Sequence, residues 1–333
     1  MIPTFNISIA FVQGMLSGIQ PRGEAVDRFL KGAGIAPELL REANARVTAE
    51  QYVALLKLLI DERNDEALGF LVRPLRRGSF ALIAREGLGA LTLDVAIRRM
   101  ARAFMLLQED LVFKLVRRDD AAGIELRLND VTKPYPEFLD VLIMRVSWRL
   151  LAWLVDARLP PIGFDFACAR PAHAEGYPKI FSGRIRFDCE HTAVWFDSSQ
   201  LARKIRRDEA ALRTFLSVSH ANVIVPRREQ GVTHAVRSHL LQMLPQWADL
   251  SSVSAALCMS ASTLQRRLST ESASFQSIKD ELRRDIAIAR LNTSTTPLAV
   301  LADELGFTDS ATFQRAFKRW TGSAPGVYRN SAG

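Results

Sequence analysis

Apolar residues recur at helical spacing through much of the chain. Glu24 to Ala33 and Ala49 to Arg63 carry them on one face, with Gly and Pro between the segments, so the first 91 residues read as mostly helical. The signal strengthens from Thr92. Leu93, Ile97, Met100, Phe104 and Leu107 fall on one side of a helix, with Thr92 as N-cap and Asp94 in the first turn. The period then changes. Leu111 to Val116 and Ile124 to Leu128 flank Arg117 to Gly123, which predicts a hairpin around Asp119 and Asp120. A long helix follows from about Glu137 to Ala157, then strands at Phe164 to Ala169, Arg184 to Phe187 and Ala193 to Phe196. Residues 1 to about 210 therefore predict an α+β domain.

Val218 to Gly231 combines a proline, a glycine and charges with few apolar residues, which marks a linker. Beyond it the pattern is almost entirely helical. The expected organisation is an α+β N-terminal domain at 1–215, a linker at 216–230 and an all-α C-terminal domain at 231–333 with two helix-turn-helix units. The first unit runs from Leu250 to Leu268, turning at Cys258-Met259-Ser260; the second runs from Pro297 to Trp320, turning at Gly306-Phe307. Gly306 suits a left-handed C-cap, and Asp309 can cap the helix that follows.

The second helix of each unit has the chemistry of a major-groove reader. Ser262, Thr263, Gln265 and Arg266 surround Leu264 and Leu268; Ser310, Ala311, Gln314, Arg315 and Lys318 surround Phe313, Ala316 and Phe317. Arg and Gln pair bidentately with guanine and adenine edges. Arg267, Lys318 and Arg319 are placed for phosphates. Ile278, Leu282, Ile286 and Ala289 predict a connecting helix whose exposed side carries Arg283 and Arg284. Periodicity alone leaves open a helical bundle whose arginines are simply solvated.

Composition narrows the class. The 333 residues are 48% apolar and 24% charged, which excludes collagen-like and wholly disordered chains. Net charge is +8, a hint of a polyanion partner. Residues 231–333 carry only 11 Lys and Arg against 8 Asp and Glu, whereas residues 1–230 carry 33 against 28. A nucleic-acid role for the C-terminal part thus rests on where its polar side chains sit, not on bulk charge. Cys168, Cys189 and Cys258 are widely spaced with no Cys-x-x-Cys, so no disulfide framework or metal site is expected and a cytoplasmic location fits. Met1 to Ala10 lacks the basic start and long apolar core of a signal peptide. The most membrane-like stretch, Phe138 to Leu159, is broken by Asp140, Arg145, Arg149 and Asp156, so no membrane partner is expected. No His-Glu-x-x-His, phosphate-binding loop or nucleophile elbow occurs; neither cofactor nor enzymatic activity is expected.

The string Gly306-Phe307-Thr308-Asp309-Ser310-Ala311-Thr312-Phe313-Gln314-Arg315-Ala316-Phe317-Lys318-Arg319-Trp320-Thr321-Gly322, followed by Pro325 and Tyr328-Arg329, resembles the signature of AraC/XylS-type transcriptional regulators. Leu264-Gln265-Arg266-Arg267-Leu268 and Phe275 match the first half of the same module, so the resemblance covers about residues 231–333. The first unit departs from the family pattern at Ser254 (usually Ala), Cys258 (usually Gly), Ser262 (often Arg) and Ser272 (commonly Gly). Residues 1 to about 210, above all Tyr177 to Lys204, resemble more weakly the arabinose-binding-type N-terminal domain of a subset of these regulators.

The resemblance implies a sequence-specific regulator, activator or repressor, that responds to a small-molecule effector. Its partners would be double-stranded DNA, RNA polymerase and a second copy in a homodimer, with effector sensing and dimerisation assigned to residues 1–215. Within that domain Arg145 and Arg149 lie four apart on one stripe and are candidates to hold an anionic effector; a solvated face with surface ion pairs is the other reading of the stripe. An N-terminal catalytic or protein-interaction module fused to the DNA-binding part stays open as the alternative. Some DNA-repair alkyltransferases also carry this module, but they need an activated cysteine, and the three here form no cluster.

Overall fold

In chain order the elements are β1 (Asn6–Ser8), α1 (Ile9–Ser17), α2 (Glu24–Gly32), β2 (Arg46–Thr48), α3 (Ala49–Arg63), α4 (Ser79–Glu86), α5 (Leu93–Leu107), β3 (Leu111–Arg118), β4 (Ala121–Leu128), α6 (Glu137–Leu154), β5 (Pro161–Asp165), β6 (Arg184–Arg186), β7 (Thr192–Asp197) and α7 (Glu209–Ser217). They continue with α8 (Val232–Gln242), α9 (Leu250–Ala256), α10 (Ala261–Thr270), α11 (Phe275–Thr293), α12 (Leu298–Glu304) and α13 (Ser310–Thr321), and 3₁₀ turns lie at Pro37–Arg41, Ala174–Lys179, Ser198–Ala202 and Pro325–Tyr328. This computed structural model describes residues 6–19, 24–129, 137–156, 158–217, 231–271 and 273–329, so nearly all of the expected linker falls outside the described residues. Packing gathers the chain into two units. One holds the described residues within 10–29 and 53–225; the other holds those within 1–9, 30–52 and 226–333.

The first unit is built on a five-stranded sheet in the order β3-β4-β7-β5-β6, antiparallel except for the β5–β6 pair. The expected hairpin forms between β3 and β4, with Arg118 opposite Ala121 and Asp119 at φ +50° in the turn. Asp tolerates that left-handed conformation because its short polar side chain bonds locally. Gly123 faces Trp195 across the β4–β7 ladder, and a Cβ there would meet the indole at 2.7 Å, so only glycine fits. Helix α6 contributes Trp148, whose ring lies 5.7 Å from Phe196 and 6.1 Å from Phe164. Helix α5 buries Leu93, Ile97, Met100 and Phe104, the stripe its periodicity predicts. Thr92 is its N-cap residue but accepts no capping bond. Asp94 turns instead to Arg98 at 2.9 Å and Arg117 at 2.8 Å, and these hydrogen bonds hold its carboxyl below the usual range.

Several elements differ from the sequence reading. The N-terminal third is not purely helical: β1 and β2 pair antiparallel, Ile7 opposite Val47. At three residues each they are too short to show a period of two. The strand expected from Phe164 begins at Pro161 and ends at Asp165, and α6 stops at Leu154, ahead of Asp156 at φ +49°.

The second unit holds both helix pairs. Val236, Leu240, Val253, Leu264, Leu268, Ile278 and Leu282 form one core. Leu301, Leu305, Phe313, Phe317 and Tyr328 are buried around the other helix pair, with ring separations of 5.7 Å for Phe313–Phe317 and 5.1 Å for Phe317–Tyr328. Helix α11 runs through the unit, and Asp285 on it is 3% exposed. That carboxylate accepts from Arg237 at 2.9 Å, Arg284 at 3.1 Å and Asn6 at 3.2 Å. Arg46 donates to the Asn6 carbonyl at 2.7 Å, and its backbone N–H donates to the Tyr328 hydroxyl at 3.2 Å. Burial, then repulsion by Arg284, pushes the Arg46 guanidinium down to about 10. The strand pair β1–β2 is thus fastened to α11 by a charge-assisted hydrogen bond from Asn6 and to the Pro325–Tyr328 turn by a neutral one from the Arg46 backbone.

Candidate nucleic-acid interface

The two helix pairs turn in the same way. After α12, Gly306 N–H donates to Asp303 O at 2.8 Å and Phe307 N–H to Ala302 O at 2.9 Å, with Gly306 at φ +70°. After α9, Cys258 N–H donates to Ala255 O at 3.0 Å and Met259 N–H to Ser254 O at 2.9 Å, with Cys258 at φ +55°. Both are Schellman turns, which place their C′ residue in the left-handed region where glycine is at ease. Gly306 also leaves no room for a side chain, since a Cβ would meet Trp247 at 2.8 Å. Cys258 is exposed and holds the same conformation with a Cβ. Cys258→Gly is therefore expected to stabilise the chain by about 1 kcal/mol, read as a shifted urea midpoint; an unmoved midpoint would mean the turn is unstrained.

Each turn delivers the chain to a capped helix. Ser260 accepts from Thr263 N–H at 3.2 Å, and Asp309 accepts from Thr312 N–H at 2.7 Å. The Thr312 N–H bond, with those from the Thr312 and Thr308 hydroxyls, keeps the Asp309 carboxyl below its usual range. The caps orient α10 and α13 so that Leu264 and Leu268, and Phe313, Ala316 and Phe317, point into the core. The opposite faces are open. Ser262, Gln265, Arg266 and Arg267 are exposed on α10, with Thr263 half-buried; Ala311, Gln314, Arg315, Lys318 and Arg319 are exposed on α13, with Ser310 half-buried. Each helix thus gathers its sequence-predicted residues on its solvent side.

The two faces differ in how their side chains are held. Arg315 donates to the Thr312 hydroxyl at 3.0 Å, and Gln314 donates to the Ser310 hydroxyl at 3.2 Å. Among the described residues, the side chains of Gln265, Arg266, Lys318 and Arg319 make no hydrogen bond or ion pair. The departures in the first unit are accommodated: Ser254 is buried and its hydroxyl donates to Ser251 O at 2.9 Å, and Ser262 lies 3.0 Å from the Ser260 hydroxyl. Ser272 lies outside the described residues.

The connecting helix corrects one expectation. Arg283 and Arg284 do not face solvent. Arg284 pairs with Asp285. Arg283 is held between the rings of Trp247 at 4.9 Å and Phe307 at 5.0 Å, and it donates to Gly306 O at 3.2 Å. Burial lowers its guanidinium from the usual arginine range. Trp247 precedes the first helix pair and Phe307 sits in the turn of the second, so one cation–π clamp ties the two pairs together. Trp247 adds a bond from its indole N–H to Glu304 O at 3.1 Å, and Arg290 on α11 pairs with Glu304 on α12 at 2.9 Å. No local pattern announces this clamp; Phe307 in the second turn was the nearest signal.

The other candidates lie in the sheet-bearing unit. Arg145 is buried and Arg149 half-buried on α6. In the same unit Arg207 stacks on Trp153 at 5.3 Å and Arg203 donates to Arg158 O at 2.8 Å, so both are engaged in the fold. Among the described residues no helix is long and apolar enough to cross a membrane, and no His, Cys, Asp or Glu group is placed to hold a metal ion.

Comparison with known proteins agrees with this geometry. The family model described as the arabinose-binding domain of AraC transcription regulators, N-terminal, matches residues 23–205, and a helix-turn-helix domain model matches residues 253–331. The ornithine utilization regulator of Pseudomonas aeruginosa is 24% identical over 327 residues, covering 98% of this chain and 96% of that protein. The transcriptional regulator VqsM of the same organism is 28% identical, over 51% of this chain and 55% of its own. A solved structure, the transcriptional regulator CdpR from Pseudomonas aeruginosa, is 18% identical with a TM-score of 0.35, covering 98% of this chain and 100% of that one. With a match over more than half its length and helix-turn-helix units behind it, the chain belongs to the AraC family of transcription regulators.

Proposed function

We propose that this regulator reads two successive major grooves on one face of DNA, α10 and α13 each entering one groove about 34 Å apart. The carrying observation is the Arg283 clamp between Trp247 and Phe307, which fixes one reading head against the other. Gln265, Arg266, Gln314 and Arg315 take base edges, with support from Ser262, Thr263, Ser310 and Ala311; Arg267, Lys318 and Arg319 take phosphates. Residues 1–215 sense a small effector and pair with a second copy, residues 216–230 link, and residues 231–333 bind DNA. The protein works in the cytoplasm as a homodimeric activator that contacts RNA polymerase, and it regulates rather than catalyses. The kinship to regulators supports this reading. A relative matched over nearly its whole length is named for ornithine utilization. This chain instead offers an effector a mainly apolar cavity in its sheet-bearing unit, lined by residues of α6 other than Arg145 and Arg149.

The test is a selected-site gel shift with the full chain. Arg315→Ala is expected to weaken specific binding by roughly 1–3 kcal/mol and to relax one base position. Unchanged affinity and an unchanged site preference would remove Arg315 from the readers.

A further inference from the structure

The sheet-bearing unit contains a cavity of about 600 Å³. That lies within the roughly 300–1,000 Å³ of small-molecule sites. Its walls are mostly aliphatic and aromatic. Leu142, Ile143 and Val146 of α6 face Leu75, Phe80 and Ile83 of the α4 region around it, and all six are only half-buried. Protein interiors normally close such gaps, because a methyl or ring facing a void loses its dispersion partners. A space this size lined this way is shaped for an apolar body.

The polar groups on its wall narrow the head of that body. Asp61 is paired with Arg77 at 3.0 Å. Glu66 accepts Gly78 N–H on one oxygen and Phe80 N–H on the other, both at 2.7 Å, so it serves the start of α4. Burial raises its carboxyl above the usual range, against the two backbone bonds that favour its charged form. Lys57 is exposed at the cavity edge, one turn before Asp61 on α3, and among the described residues its ammonium has no hydrogen bond or ion pair. Asp61, Arg77 and Glu66 thus already have hydrogen-bond or ion-pair partners, which leaves one ammonium with three donors.

We infer that this cavity binds a medium-chain alkyl or acyl amphiphile, its chain along the α6 wall and its anionic head against Lys57. This rests on the effector-sensing reading proposed above and gives that effector its chemical class.

The experiment is titration calorimetry of the full chain without DNA, using octanoate, decanoate and dodecanoate below their micellar range, with decanol and decyltrimethylammonium as head-group controls. One-to-one binding is expected, tightening about fourfold for each added methylene. Decanol should bind roughly tenfold more weakly than decanoate, and Lys57→Ala should bring decanoate to the decanol level without moving decanol. Val146→Trp, which fills the cavity, should abolish binding of both. Its folding is checked by cooperative unfolding, and Ser147→Phe is the second filler should it fail. No binding of any probe, or binding that survives a filler in a folded chain, overturns the site. Equal affinity for all three heads overturns the anionic assignment. A parallel gel shift separates the two proposals: amphiphile binding that leaves DNA affinity unmoved supports the cavity assignment and counts against the effector reading.

Discussion

Asp285→Ala is expected to destabilise the helical unit by about 3–5 kcal/mol, the range for removing one partner of a buried ion pair. The carboxylate is 3% exposed and accepts hydrogen bonds from Arg237, Arg284 and Asn6. Arg46 lies in the same field: Asp285 is one of the charges that favours its protonated form, against burial and Arg284. Truncation leaves three guanidinium groups with one more distant anion, Glu281, 3.9 Å from Arg237. The pair itself need not be worth much against a well-packed apolar substitute. The large figure comes from the uncompensated cations, so Asp285→Ala together with Arg46→Met should recover part of the loss. The measurement is chemical unfolding of the full chain, following the tryptophans; Trp247 lies in the same unit. A loss under about 1 kcal/mol would mean that solvent enters and screens the cluster.

How much of this was legible in the sequence depended on distance along the chain. Helix α3 runs from Ala49 to Arg63 as its apolar spacing predicts, and the β3–β4 hairpin forms around Asp119. The turn at Gly306 and the cap at Asp309 are set by residues within a few positions of each other, so local chemistry announces them. The Asp285 cluster joins residues 279 apart, Asn6 and Asp285, and no local pattern can announce that. Arg283 looked like a solvated residue because periodicity reports only which side of a helix it occupies. It cannot report that Trp247 and Phe307 close over that side. The cavity was invisible for a related reason. Leu142, Ile143 and Val146 have the spacing of core residues, and an apolar stripe reads the same whether it fills space or lines it.

The double variant Gln314→Ala/Arg315→Ala is expected to lose about 2–6 kcal/mol of specific DNA affinity, two bidentate contacts at roughly 1–3 each. Gln265→Ala/Arg266→Ala should lose clearly less. The substituted pair is Gln-Arg on both helices, so the asymmetry must come from elsewhere. Arg315 and Gln314 are already held by Thr312 and Ser310, whereas Gln265 and Arg266 have no such tether among the described residues. Ordering a long side chain on binding costs about 0.5–1.5 kcal/mol, and that cost falls on α10 more than on α13. Ser262 adds to the difference, since a hydroxyl stands where related proteins often place a guanidinium. The tether also predicts a distinct control. Thr312→Val removes the Arg315 bond, and the hydroxyl bond to Asp309, without touching the base-reading atoms, and should bring the loss from Arg315→Ala down toward that from Arg266→Ala. Equal losses for the two double variants, in affinity and in the width of the selected site, would show that preorganisation does not set which head reads more.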